Sequence, residues 1–88
     1  MSINLHIGGR PQPVTVEIVD IGARGARFRA TPAPVQIEEE AAFGFVSRDQ
    51  HICVANGRVL RIGGNGDFVL SVERANAAFH SFLESLAA

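Results

Sequence analysis

Tryptophan, tyrosine and lysine are missing from this 88-residue chain, and cysteine and methionine occur once each. The lone Cys53 excludes an internal disulfide, which suits a cytoplasmic protein. No apolar run approaches the ~20 residues of a membrane-spanning helix. Met1-Ser2-Ile3-Asn4-Leu5-His6 has neither the basic start nor the apolar core of a secretion signal. The expectation is a soluble protein of the cytoplasm. All eight basic residues are arginine, a bias that suits a GC-rich bacterial genome. The net charge of −1 gives no electrostatic ground for binding nucleic acid or an anionic membrane. Catalytic patterns are missing too. The three histidines are scattered, and the serines have no motif around them. Gly63-Gly64-Asn65-Gly66 is not followed by the Lys-Ser/Thr of a phosphate-binding loop. An enzyme is therefore not expected, and neither is a cofactor.

What is present is an ordered alternation of apolar and polar residues. An apolar fraction of 47% excludes a disordered chain. The length allows one domain, residues 1–88, which buries only about 60–65% of its unfolded surface. Little stability is then to spare, and a homodimer is compatible with that. Ile3, Leu5 and Ile7 alternate with Asn4 and His6 as a short strand. Gly8 to Pro13 is a turn in which two prolines bar helix. Val14, Val16 and Ile18 mark a strand running to Val19, and Ala26, Phe28 and Ala30 mark the next. Glu38-Glu39-Glu40 forms an acidic rim before a strand carrying Phe43 and Phe45.

Ile52, Val54, Leu60 and Ile62 share one parity along a long strand, interrupted at Asn56-Gly57 by a bulge or a bend. Gly63 to Asp67 is a hairpin turn whose glycines and Asn65 tolerate positive φ. Phe68, Leu70 and Val72 form the last strand. Asn76 then caps a helix beginning at Ala77, so that the helical segment covers about 76–87. Phe79, Phe82, Leu83 and Leu86 form its apolar stripe. With no helix between strands, the spacing predicts an all-β fold: a six-stranded antiparallel small β-barrel with one C-terminal α-helix at one end.

Between the second and third strands lies Asp20-Ile21-Gly22-Ala23-Arg24-Gly25, an acid and two glycines spaced Asp-x-Gly-x-x-Gly. Two roles fit Asp20: bonding turn amides, or touching a ligand. Positive φ accounts for Gly22 and Gly25. Arg27 and Arg29 alternate along the following strand, as a face for an anion or acidic partner or as solvated positions. His51-x-Cys53, even with His6, lacks regular metal-ligand spacing. No metal is expected, and Cys53 reads as a small core residue.

The turn, together with the order of elements, resembles the PilZ domain family of bacterial cyclic di-GMP receptors. Their signature ends in Asp/Asn-x-Ser-x-x-Gly. The likeness covers most of the chain and includes the long strand ending Gly57-Arg58-Val59-Leu60-Arg61-Ile62 and the closing amphipathic helix. It implies that Asp20 is the base-reading acid and Gly25 the turn glycine. Gly22 stands where the family has a hydroxyl, a loss on the order of 1 kcal/mol. The family's upstream Arg-x-x-x-Arg does not occur. Arg10 is the only basic residue before Asp20, and little chain precedes the first strand. Each missing charge-assisted contact is worth roughly 1.5–3 kcal/mol. Losing two weakens binding by hundreds-fold or more.

The resemblance thus implies a regulatory or adaptor domain in motility, pilus or exopolysaccharide control. It would work through a protein partner, with weak or lost nucleotide binding. One alternative is a direct receptor for cyclic di-GMP in which Arg24, Arg27 or Arg29 replaces the missing arginines. Another is a barrel that binds single-stranded nucleic acid. That role requires exposed aromatics, whereas Phe28, Phe43, Phe45 and Phe68 all fall on the inward parity. No nucleic-acid partner is expected.

Overall fold

The alternation becomes strands with one face in and one face out. The computed structural model describes residues 1–87. Its elements are β1 (Ser2–Ile7), β2 (Val14–Ile21), β3 (Gly25–Arg29), β4 (Glu40–Val46), β5 (Ile52–Ile62), β6 (Asp67–Ser71), β7 (Arg74–Ala75) and α1 (Ala77–Ala87). The strands run in the order β4-β1-β2-β3-β6-β5, and β5 returns to pair with β4. Every pairing is antiparallel, so the six-stranded barrel closes on itself. The two-residue β7 lies outside the closed ring. It pairs with β5 through Ala55↔Ala75 and Asn56↔Arg74. A two-residue strand is too short to show alternation, so the sequence carries no signal for it.

Side chains fill the interior. Phe28, Phe43, Phe68, Leu5, Leu70, Val59 and Cys53 are fully buried. Phe28 meets the edge of Phe43 at 5.0 Å between ring centroids and stacks on Phe68 at 5.5 Å. Burial pushes the Cys53 thiol pKa up, so the group stays protonated and unreactive at neutral pH. One end of the barrel is closed by α1. Phe79 is buried against Phe43 and Phe45, and Phe82 packs edge-on to Phe45 at 4.8 Å. Leu86, although on the same stripe, is exposed.

Asn76 joins the helix to the barrel. Its Oδ1 accepts from the Phe79 amide at 3.0 Å, the expected cap, and also from the Val54 amide at 3.2 Å. Its Nδ2 donates to the Ile52 carbonyl at 2.9 Å.

Strand β5 departs from its sequence reading in two ways. The parity shared by Ile52, Val54 and Leu60 is the outer one, and the inner positions are Cys53, Ala55, Gly57 and Val59. Small inner side chains leave room for the six phenylalanines that the other elements contribute. The strand is also continuous through Asn56-Gly57, and its register shift falls later, between Val59 and Arg61. Gly57 is required for close approach instead, since a Cβ there would overlap the Ser71 carbonyl.

Candidate functional site

The Asp-x-Gly-x-x-Gly segment forms the tight connection between β2 and β3. The Gly22 amide donates to the Gly25 carbonyl at 2.8 Å, and the Val72 amide donates to the Arg24 carbonyl at 2.9 Å. The turn is thereby tied to the end of β6. Neither Gly22 nor Gly25 has positive φ; among the glycines only Gly9 and Gly66 do. The physical reason for Gly25 is proximity, because a Cβ there would sit 3.2 Å from the Leu70 carbonyl oxygen. A Cβ at Gly22 would meet the Gly25 carbonyl oxygen at an ordinary 3.6 Å, so nothing in the backbone demands glycine there.

Asp20 does not bond the turn amides. It is exposed, and among the described residues its carboxylate forms neither a hydrogen bond nor an ion pair. Its position follows from a bulge. Ile18 pairs with Phe28 and Asp20 with Arg27, so Val19 and Asp20 both stand opposite one residue of β3. The same device recurs on β5, where Val59 pairs with Leu70 and Arg61 with Val69, placing Leu60 and Arg61 together opposite Val69. Arg27 and Val69 are themselves partners. A single row therefore crosses the outer face from β2 through β3 and β6 to β5: Asp20, Arg27, Val69, Arg61. It spans three strand spacings, about 14 Å.

The predicted arginines do not all reach this row free. Arg29 is bound to Asp67, Nε to Oδ1 at 2.5 Å. That hydrogen bond raises the Arg29 pKa and holds the Asp67 carboxyl below the ordinary carboxylate range. Arg24 at the turn, Arg27 and Arg61 form no ion pair among the described residues. Gly22, Arg24 and Gly25 form the turn just past the Ile21↔Ala26 pair, next to Asp20 and Arg27, while Arg29 lies in a different row, opposite Glu17 and Asp67.

Sequence reasoning missed Arg61. No signal marked it, because the apolar parity of Ile52, Val54, Leu60 and Ile62 made Arg61 an ordinary outward residue. Only the structure places Cys53, Ala55 and Val59 inside and turns Arg61 out by a bulge. Asp20 does carry a signal: it lies on the inward parity of Val16 and Ile18, and a charge there requires a bulge to turn it out.

Two concave regions lie elsewhere. One, of about 460 Å³, is floored by Ala42 and walled by His6, Glu40, Asn56, Arg58 and Arg74. Arg58 is shared there between Glu40 at 3.3 Å and Glu73 at 3.8 Å, and Arg10 engages Glu39 at 3.5 Å. Much of the acidic rim is accordingly neutralised from within. The other region, of about 580 Å³, lies between the β4–β5 turn and α1, against Arg48, His51, Ser81, Phe82 and Leu86. Cys53 faces inward while His6 and His51 are exposed, so these three do not converge. No helix is long and apolar enough to cross a membrane.

No protein-family model, curated protein or solved structure matches the chain.

Proposed function

We propose that the chain is a PilZ-like regulatory module that acts through protein contacts in bacterial cyclic di-GMP signalling, with its own nucleotide binding weak or lost. One observation carries the reading. The closed barrel with a C-terminal helix presents Asp20 and the Gly25 turn at its surface, and the free guanidiniums are those of Arg24 in the turn, Arg27 on β3 and Arg61 on β5. Arg24 and Arg27 are three residues apart across the turn and Arg61 comes from β5, so they do not form the Arg-x-x-x-Arg pair that would clamp two phosphates. Neither of the two concave regions described includes the turn, which favours the barrel as a surface for other proteins.

The test is affinity capture with the intact chain, followed by reconstitution of the purified pair. The expected partner belongs to a motility, pilus or polysaccharide apparatus. Absence of any specific partner counts against the module. A second reading, direct reception of cyclic di-GMP, is favoured by the unpaired state of Asp20, Arg24 and Arg27. Calorimetry at near-physiological salt separates the two. Micromolar or tighter binding that disappears in Asp20→Ala and Arg24→Ala establishes the receptor.

A further inference from the structure

The two bulges have a joint effect. A regular strand presents one outward residue at each cross-strand row, but β2 and β5 each present two at this one. Bulges often re-aim side chains at functional surfaces. The result is a patch in which exposed apolar groups, Val19 at 40% and Leu60 at 53% exposure, flank the half-buried Val69. Arg27 and Arg61 stand on either side of Val69, about 10 Å apart by strand spacing, and neither is neutralised. Asp20 is the only unpaired acid in the row.

We infer that this outer face of β2, β3, β6 and β5 is the docking surface for a protein partner, and that the partner presents an acidic segment interleaved with apolar residues. The inference rests on the reading of the chain as a module that works through protein contacts, and it names the surface and the partner's chemistry. Three observations select this occupant. Free guanidiniums beside exposed aliphatic groups match carboxylates beside apolar side chains, and arginine is a recurrent anchor of protein interfaces. The row lines neither of the two concave regions, and its exposed side chains across four strands form the broad surface a macromolecule meets. The phenylalanines of the strands are buried or nearly so, which leaves no aromatic platform for stacking bases. The acidic rim, by contrast, is already occupied by Arg10 and Arg58.

The experiment places a photo-crosslinking amino acid in the full chain at Leu60, with control placements at Val46 and Leu86, both exposed; Val46 pairs with Ile52, at the opposite end of β5 from Leu60, and Leu86 is on the helix. The protein captured from cells is identified by mass spectrometry and purified, and its affinity is measured with the unmodified chain. Expected are capture from Leu60, affinity that falls as salt rises, and a loss of at least about tenfold in the Arg27→Glu/Arg61→Glu variant. Both arginines are exposed, so that variant should keep the native amide spectrum; Val19→Asp, which disturbs no ion pair, is the second probe and should also weaken binding.

Capture from Val46 or Leu86 alone overturns the surface while leaving the module reading intact. No capture from any position overturns both. Unchanged affinity in the charge-reversed variant overturns the role of the arginines and with it the proposal. So does a response of these residues to cyclic di-GMP or to an oligonucleotide in the absence of any protein partner.

Discussion

Gly57 shows how a single missing Cβ holds the barrel's tightest crossing. Ser71 passes directly over it, and the Ser71 hydroxyl accepts from the Arg58 amide at 3.0 Å. Gly57→Ala places a methyl group against fixed backbone, and we expect a loss of at least about 3 kcal/mol in denaturant unfolding. A near-neutral result would mean that the β6–β7 connection is free to shift. Asp67 is informative for a different reason. Its folded pKa lies below the unfolded value, about 3.9, because the carboxylate accepts from Arg29. The associated stabilisation is therefore present above that pH and lost as pH falls through the folded pKa. Asp67→Asn should flatten the acid limb of the stability profile, and an unchanged limb would show that the pair contributes nothing. Residues of this kind separate what the sequence tells from what it hides. The inward phenylalanines were readable from alternation alone. The Arg29–Asp67 pair joins positions 38 apart that meet only once β3 and β6 are neighbours.

At the scale of elements, the helix depends on Asn76 more than a cap usually implies. Beside closing the first turn, its side chain bonds both the Val54 amide and the Ile52 carbonyl. Asn76→Ala should cost about 2–3 kcal/mol, beyond an ordinary cap, because two strand groups lose a partner as well. Asn76→Ser, which keeps a cap but lacks the amide donor, should fall between that and the native protein in thermal melts. Equal losses for the two variants would mean that the links to β5 carry no weight. The cap was readable from the sequence; the links were not, because they require knowing that β5 runs beside the helix start. The two bulges lay between these extremes. The first was marked by a charge on an inward parity, at Asp20; the second was hidden because β5 read with the opposite face inward, and the row they build appears only when four strands are set side by side.

For the whole molecule, stability also depends on how α1 closes the barrel. A domain of this length has a total of about 4–13 kcal/mol. Phe79→Ala removes a fully buried ring that touches Phe43 and Phe45 and should cost about 3–5 kcal/mol, a large part of that total. Leu86→Ala, at the exposed end of the same stripe, should stay within about 0.5 kcal/mol in the same unfolding assay. Similar losses at both positions would mean that the end of the helix is covered in solution, for instance by a second copy of the chain. The radius of gyration, 12.3 Å, is close to the roughly 12 Å expected of a filled domain of this length. The barrel has no lumen to house a ligand, so whatever it recognises meets its outside.

Closure of the ring limits how that meeting can happen. Each of the six barrel strands is paired on both sides, β5 is bonded further by the amide of Glu38 and the carbonyl of Glu39 at Val59, and the one strand left with an open side is β7, two residues long. With no long open edge among the barrel strands, docking by extension of the sheet is disfavoured, as is templated stacking of a misfolded neighbour. Recognition is left to outward side chains, which can be exchanged without touching the packing inside. Clumping of this protein should accordingly begin with opening of the barrel, and its rate should follow the unfolding rate.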